Sequence, residues 1–209
     1  MQYGHFDDYK KEYVINTPET PYPWINYLGN KDFFGLVSNT GGGYAFYKDA
    51  RLMRLTRYRY NDIPVDNGGR YYYIHHEGDI WNPGWKPVKS DYDHYECRHG
   101  MGYTRIESEK NKLRASVTMF VPLEYCGEVH MVELENKGDQ TMEFSLFSYL
   151  EFNLWDALDD MTNFQRNLNT GEVEVDESAS HLRMGARRSP SGEQHVTEVD
   201  DAPKGREAQ

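Results

Sequence analysis

The sequence KLRASVTMFV at positions 112–121 decides the fold, because apolar residues occupy every second position along it. Successive side chains of a β-strand point to opposite faces of a sheet, so this alternation predicts a strand with one buried face. The residues expected on the buried face are Leu113, Ala115, Val117, Met119 and Val121.

Two segments farther along the chain continue the pattern. The segment EVHMVELE at 128–135 alternates as far as Met131 and then shifts by one position, which predicts a register slip. The segment TMEFSLFSYLEF at 141–152 predicts one more strand, and turn-forming residues separate the three strands. Earlier strand candidates occupy 33–38, 44–48, 52–60, 70–75 and 102–108.

Closely spaced strands with no amphipathic helix of useful length predict an all-β fold, a large antiparallel β-sandwich. We expect this domain to span 1–176 and to be incomplete at its C-terminal end. All 30 aromatic residues precede position 165. The segment 177–209 also lacks periodicity, which predicts a divergent, disordered tail, and a flexible linker fits its composition equally well.

Composition narrows the classes of partner. A net charge of −11 argues against nucleic acid, because phosphate contacts require a basic face. No apolar run is long enough for a membrane span, and the N-terminus has no secretory pattern, so we expect no membrane partner and a cytoplasmic location. The two cysteines, Cys97 and Cys126, are expected to be free, buried thiols.

Several motifs are assigned no chemistry. The triplet Gly41-Gly42-Gly43 lacks the spacing of a nucleotide-binding loop and predicts a turn or bulge before the strand at 44–48. The arginines of RLMRLTRYR at 51–59 are expected to point outward. The histidine-containing groups fit no zinc spacing, so no metal is expected at His75 and His76 or at His94, Glu96 and His99.

The segment LWDALDDMTNFQRNLN at 154–169 ends the alternation with carboxylates, amides and two aromatic residues. Aromatic faces beside amides and carboxylates suit a sugar, which offers C–H faces and hydroxyl groups. A solvated turn with its aromatic side chains on the core explains the same composition. Carboxylates within one loop would repel each other and stay ionised, so none is named as a catalytic acid.

Four long stretches resemble the N-terminal domain of the cellobiose phosphorylases in glycoside hydrolase family 94, over roughly 2–176. They are YGHFDDYKKEYVINTPETPYPWINYLGN (3–30), FFGLVSNTGGGYAFYKDARLMRLTRYRYN (33–61), DIWNPGWKPVKSDYDHYECRHGMGYT (79–104) and LWDALDDMTNFQRNLNTGEVEV (154–175). The resemblance implies a supersandwich-like domain of a homodimeric, inverting phosphorylase. Such an enzyme uses inorganic phosphate as co-substrate, without a cofactor, to split cellobiose or a related β-glucoside.

The resemblance places the catalytic acid in a barrel domain, so it implies no catalytic residue in this chain. It implies instead a loop that reaches the substrate entrance of the partner subunit. The implied entrance residues are Asp156, Asp160, Thr162, Asn163, Gln165 and Arg166, and the implied anchors are Trp155 and Phe164. Because the tail departs from the family pattern, we expect a truncated, inactive fragment, and a free-standing carbohydrate-binding or structural β-sandwich is the alternative.

Overall fold

Antiparallel strands dominate the computed structural model, which describes residues 2–60, 66–163, 171–175 and 180–184. The one helix among these residues, α1, is short. In chain order the elements are β1 (Gly4–Asp7), β2 (Glu12–Ile15), β3 (Ile25–Gly29), β4 (Phe33–Ser38), β5 (Ala45–Tyr47), β6 (Arg54–Thr56), β7 (Arg70–His76), β8 (Asp79–Trp81), β9 (His94–Gly100), β10 (Tyr103–Lys110), β11 (Leu113–Phe120), β12 (Val129–Asn136), β13 (Phe144–Leu150), β14 (Phe152–Trp155), α1 (Ala157–Thr162), β15 (Gly171–Val175) and β16 (Ser180–Met184). The predicted all-β class is confirmed.

Three sheets lie in a unit that spans 1–158. The largest has six strands in the order β1-β2-β9-β10-β11-β12. A five-stranded sheet has the order β14-β6-β5-β4-β3, and a three-stranded sheet has the order β13-β7-β8. Every pairing between these strands is antiparallel, as the sandwich prediction requires.

The predicted apolar face of β11 is the middle of the core. Its C-terminal half packs Val117 and Met119 in one cluster with residues of the five-stranded sheet. Its N-terminal half packs Leu113 and Ala115 with Ile74 and Trp81 of the three-stranded sheet. All five residues predicted for the buried face are buried. One strand therefore holds the two smaller sheets against the large one, and apolar burial of this kind stabilises the fold.

Two strand predictions need correction. β12 pairs with β11 without a break, so the slip expected after Met131 is absent. β12 is the last strand of its sheet, and Met131 remains 48% exposed on its outer face while Val132 and Leu134 pack on the core. The strand predicted over 141–152 is two strands, because β13 pairs with β7 whereas β14 pairs with β6.

Two predictions about single side chains are also wrong in part. Arg54, expected to point outward, is 4% exposed. Its guanidinium carbon lies 3.6 Å from the ring centroid of the buried Tyr44, and its Nε donates to the Ala50 carbonyl at 2.8 Å. Both cysteines are free as predicted, but only Cys97 is buried and Cys126 is exposed.

The second unit begins at Asp159 and contains the hairpin of β15 and β16, paired from Gly171 with Met184 to Val175 with Ser180. β16 lies within the segment 177–209 that was predicted to be disordered. The rest of that segment lies outside the described residues, so its disorder stays a prediction. Across the part of the chain that is described, no helix has the length and apolarity to cross a bilayer.

Candidate functional site

The segment predicted as a substrate-entrance loop begins with the short helix α1. β14 brings the chain to the helix by pairing Phe152 with Thr56 of β6. The amide of Ala157 then donates to the Arg51 carbonyl at 2.7 Å. The Asp156 carboxylate accepts a hydrogen bond from the Leu158 amide at 2.8 Å. Asp156 therefore caps the helix N-terminus, a structural use of a carboxylate that satisfies one unpaired backbone amide.

The other end of α1 is polar as well. The Asn163 amide donates to the Asp159 carbonyl at 2.8 Å, which closes the last helical turn. The Asn163 side chain lies 3.4 Å from the Asp159 carboxylate, a long and weak contact. Asp160 is buried, whereas Thr162 is exposed and Asn163 is half-buried.

The helix separates the predicted entrance residues. Asp156 lies before the first residue of α1, and Asn163 follows the last. Trp155 pairs through its backbone with Arg54. Phe164, Gln165 and Arg166 lie outside the described residues, so their roles as anchor and entrance residues stay predictions.

The region next to Asp66 contains a buried carboxylate that sequence reasoning missed. Asp66 is 3% exposed, and one of its oxygens accepts hydrogen bonds from the Ser38 hydroxyl at 2.7 Å and the Thr40 hydroxyl at 2.6 Å. The Tyr58 hydroxyl lies 3.3 Å from the other oxygen. Burial raises the pKa of Asp66 above its usual value, although Thr40, Ser38 and the charge of Lys86 act in the opposite direction. The surrounding sequence, Asp66-Asn67-Gly68-Gly69, signals only a turn.

Replacing Asp66 by asparagine tests this buried carboxylate. Because the pKa of Asp66 is higher in the folded protein than in the unfolded chain, the protonated acid stabilises the fold. This stabilisation is complete below the unfolded pKa and is lost as the pH rises through the folded pKa. We expect wild type to lose stability relative to Asp66→Asn as the pH is raised from 4 to 7, measured by urea denaturation. Asp66→Ala should cost about 1–3 kcal/mol, because it leaves the Ser38 and Thr40 hydroxyls without their acceptor. If the free energy of unfolding of the wild type instead rose relative to that of Asp66→Asn between pH 4 and 7, the raised pKa of Asp66 would be contradicted.

A second buried polar group joins β7 to the start of β12. The Arg70 guanidinium lies 2.6 Å from the Glu128 carboxylate, and their side chains are 4% and 8% exposed. Nε2 of His130 lies 3.0 Å from the other Glu128 oxygen, and its Nδ1 lies 2.7 Å from the Tyr72 hydroxyl. Burial raises the pKa of Glu128, but Arg70 and His130 outweigh it and hold the pKa below the usual value. This arrangement is suited to joining strands, since both charged groups are enclosed.

Neither group resembles a metal centre. Within the described ranges, no three His, Cys, Asp or Glu side chains lie close enough together to hold a metal ion. The two buried carboxylates, Asp66 and Glu128, are each engaged by named donors.

Comparison with known proteins places the chain among carbohydrate-active enzymes. The model of the glycosyl hydrolase 94 supersandwich domain matches residues 11–202. The chain is 38% identical over 187 residues to N,N'-diacetylchitobiose phosphorylase of Vibrio furnissii, covering 84% of this chain and 23% of that protein. It is 34% identical over 155 residues to solabiose phosphorylase of Paenibacillus borealis, covering 73% of this chain and 20% of that protein.

A third relative, 3-O-beta-D-glucopyranosyl-beta-D-glucuronide phosphorylase of Paenibacillus borealis, is 35% identical over 148 residues. The match covers 70% of this chain and 18% of that protein. The chain therefore spans about a fifth to a quarter of the length of the curated relatives that it matches. All three relatives are phosphorylases by name, and their named substrates differ.

Proposed function

The chain belongs to glycoside hydrolase family 94, whose supersandwich domain it carries, and we propose that the whole protein is an inverting phosphorylase of β-linked disaccharides. The observation that supports this most strongly is the family match over 11–202, together with three relatives that are phosphorylases by name. Because the chain matches only about a fifth to a quarter of each relative, catalysis is proposed to lie in the rest of the protein. The chain itself acts as a binding and dimer-contact domain.

The proposed reaction transfers a glycosyl group to inorganic phosphate. A phosphate oxygen attacks the anomeric carbon and forms the new C–O bond while the glycosidic C–O bond breaks. A carboxylic acid outside this chain donates its proton to the departing sugar oxygen, so the products are a sugar 1-phosphate and a free sugar. Phosphate takes the place of the water and the second carboxylate of an inverting hydrolase. No cofactor is needed.

The contribution proposed for this chain is the loop that starts at α1. In a cytoplasmic homodimer, the polar residues after the helix face the substrate entrance of the partner subunit, with Asn163 and Gln165 in contact with sugar. The placement of Asn163 after the last helical residue is compatible with this role. Asp156 is occupied as the helix cap, so it holds the loop in place and leaves sugar contacts to residues farther along.

The specific substrate is a separate proposal. The four long sequence stretches resemble cellobiose phosphorylases, whereas the three relatives are named for N,N'-diacetylchitobiose, solabiose and a glucosyl glucuronide. We propose a β-linked glucoside, with cellobiose as the first candidate. Release of sugar 1-phosphate by the whole protein from a panel of these disaccharides tests the proposal. Phosphate-independent hydrolysis, or no turnover of any of them, would overturn it, and the 209-residue chain alone should release none.

Replacing Asn163 by alanine in the whole protein tests the entrance loop. A carboxamide can hydrogen-bond a sugar hydroxyl, but it cannot donate a catalytic proton at neutral pH. The loss of one such bond costs about 0.5–1.5 kcal/mol, so KM for the disaccharide should rise by about two- to tenfold with little change in kcat.

The matched control is Asn16→Ala, which removes an exposed amide outside α1 and should leave both constants unchanged. The oligomeric state is measured alongside, because the loop is proposed to act across the dimer. A fall in kcat by about a hundredfold or more at unchanged KM in an intact dimer would give Asn163 a part in the transition state, since acid–base groups contribute about 10²–10⁴ in rate.

A further inference from the structure

A cavity of about 360 Å³ lies between the segment 18–23 and the turn that holds Asp66. This volume falls in the range of small-molecule sites, about 300–1,000 Å³. Trp85 and Lys86 line one side, and Tyr22 and Glu19 line the side formed by the segment 18–23. Of the segment predicted as an entrance loop, none of the described residues, 154–163, lines it.

The wall formed by 18–23 is held in place by one buried side chain, that of Asn39, which is 0% exposed. Its carboxamide oxygen accepts from the Trp24 amide at 3.0 Å and lies 3.4 Å from the Thr20 hydroxyl, which donates to the Tyr22 carbonyl at 2.8 Å. Its amide nitrogen lies 3.4 Å from the Pro18 carbonyl. Three prolines in the segment 18–23 restrict the backbone further. A wall whose backbone is already restricted by its prolines lowers the entropy cost of binding, because less has to be ordered when a ligand enters.

The opposite wall contains an aromatic residue in an unusual backbone conformation. Trp85 has a φ of +73°, which is rare for a residue other than Gly, Asn or Asp. Such strained conformations are concentrated at ligand clamps and other functional positions. Here it occurs at an aromatic residue that lines the cavity together with the 77% exposed Tyr22.

The chemistry of the lining selects a class of ligand. The lining contains one exposed carboxylate, that of Glu19, and one ammonium group, that of Lys86, so it carries no excess positive charge to attract a phosphate or other anion. Charged and hydroxyl groups beside the aromatic rings equally disfavour a purely apolar ligand. A neutral polyol with C–H faces satisfies both requirements, because it stacks on aromatic rings and hydrogen-bonds to carboxylate, ammonium and hydroxyl groups.

We propose that this cavity is a sugar-binding site of the domain itself, in which Trp85 and Tyr22 contact the faces of a neutral hexose unit and Glu19 and Lys86 bind its hydroxyl groups. The inference rests on the proposed function only for the choice of probes. Binding needs neither phosphate nor the remainder of the protein.

Titration of the 209-residue chain with cellobiose, N,N'-diacetylchitobiose and glucose, without phosphate, tests the site. Tryptophan fluorescence and calorimetry should report saturable binding of at least one of them at millimolar concentration. Tyr22→Ala should weaken the binding by about three- to tenfold, the loss of one aromatic contact. Trp85→Phe should abolish most of the fluorescence response, while Tyr9→Ala, which removes a 95% exposed ring outside the cavity, should change nothing.

Absence of saturable binding for all three sugars would overturn the proposal. Binding that persists undiminished in both Tyr22→Ala and Trp85→Phe would also overturn it, because the sugar would then lie elsewhere. Circular dichroism and urea denaturation of each variant separate lost binding from lost fold. Phosphorolysis is measured on the whole protein and binding on this chain, so either result can fail while the other stands.

Discussion

Replacing Glu128 by alanine is expected to lower the free energy of unfolding by about 3–5 kcal/mol, the cost of leaving one partner of a buried ion pair without the other. The Arg70 guanidinium would lose a carboxylate 2.6 Å away while remaining 4% exposed. It would keep its hydrogen bond to the Leu36 carbonyl at 2.8 Å. His130 would lose the same carboxylate on its Nε2 side.

Urea denaturation at pH 7 measures the effect, and Glu151→Ala is the matched control. Glu151 forms an ion pair with Arg57 at 3.3 Å but is 45% exposed, so its removal should cost about 1 kcal/mol or less. The pKa of Glu128 is depressed, so the stability that its ionised form contributes is present above its usual pKa and lost as pH falls through the folded pKa. The difference between wild type and Glu128→Ala should therefore shrink in acid.

Two outcomes would contradict this account of the ion pair. One is a Glu128→Ala variant that is no less stable than Glu151→Ala at pH 7. The other is a difference from wild type that grows as the pH is lowered. The double variant Arg70→Met, Glu128→Met removes both charges and should be more stable than Glu128→Ala, because no buried charge is left without a partner.

The buried ion pair also marks the limit of prediction from the sequence. Period-two alternation identified β11 and its buried face, because that strand has neighbours on both sides and a sheet packed on its inner face. Glu128 and Arg70 are 58 positions apart, and nothing local to either residue signals that they meet. The prediction for Arg54 was wrong for the same reason, since its partner Tyr44 lies in the connection between β4 and β5.

The same limit applies to the functional residues: the sequence indicated some of them, whereas others depend on contacts between distant positions. The composition of 154–169 indicated a sugar site, and the family resemblance assigned it to the substrate entrance. The structure adds that Asp156 caps α1, a use that the capping preference of Asp before a helix could have suggested. The cavity beside Trp85 could not be inferred, because it depends on Asn39 restraining the segment 18–23 and on Asp66 approaching Thr40. The relatives confirm the family but differ in named substrate, so cellobiose remains a proposal.

Replacing Gly43 by alanine is expected to destabilise the fold by about 3 kcal/mol or more, since it combines backbone strain with a steric clash. Gly43 has a φ of +128°, a region that residues with a Cβ atom rarely adopt. A Cβ atom there would lie closer than 3.0 Å to the backbone carbonyl of Leu36 on β4. That carbonyl is held because it accepts a hydrogen bond from the Arg70 guanidinium at 2.8 Å, so the clash is with constrained backbone and not with a flexible side chain.

The structure shows how the glycine triplet forms the turn that was predicted before the strand at 44–48. The turn is closed by a hydrogen bond of 2.7 Å from the Ser38 amide to the Gly42 carbonyl, and it delivers the chain to β5. Gly43 also donates its amide to the Gly68 carbonyl at 2.9 Å, so the turn lies against a second glycine-containing segment. A side chain at this point would separate β4 from the start of β5.

The control for this prediction is Gly78→Ala in the turn between β7 and β8. Gly78 also has a positive φ, +78°, but a Cβ atom there would meet nothing within 4 Å. Backbone strain alone should cost about 1–2 kcal/mol at Gly78, so any larger loss at Gly43 reports the clash together with the greater strain of its φ of +128°. Thermal and urea denaturation of both variants measure it. Equal losses would show that β4 and β5 move apart at little cost, and the glycine at 43 would then be needed only for its backbone conformation.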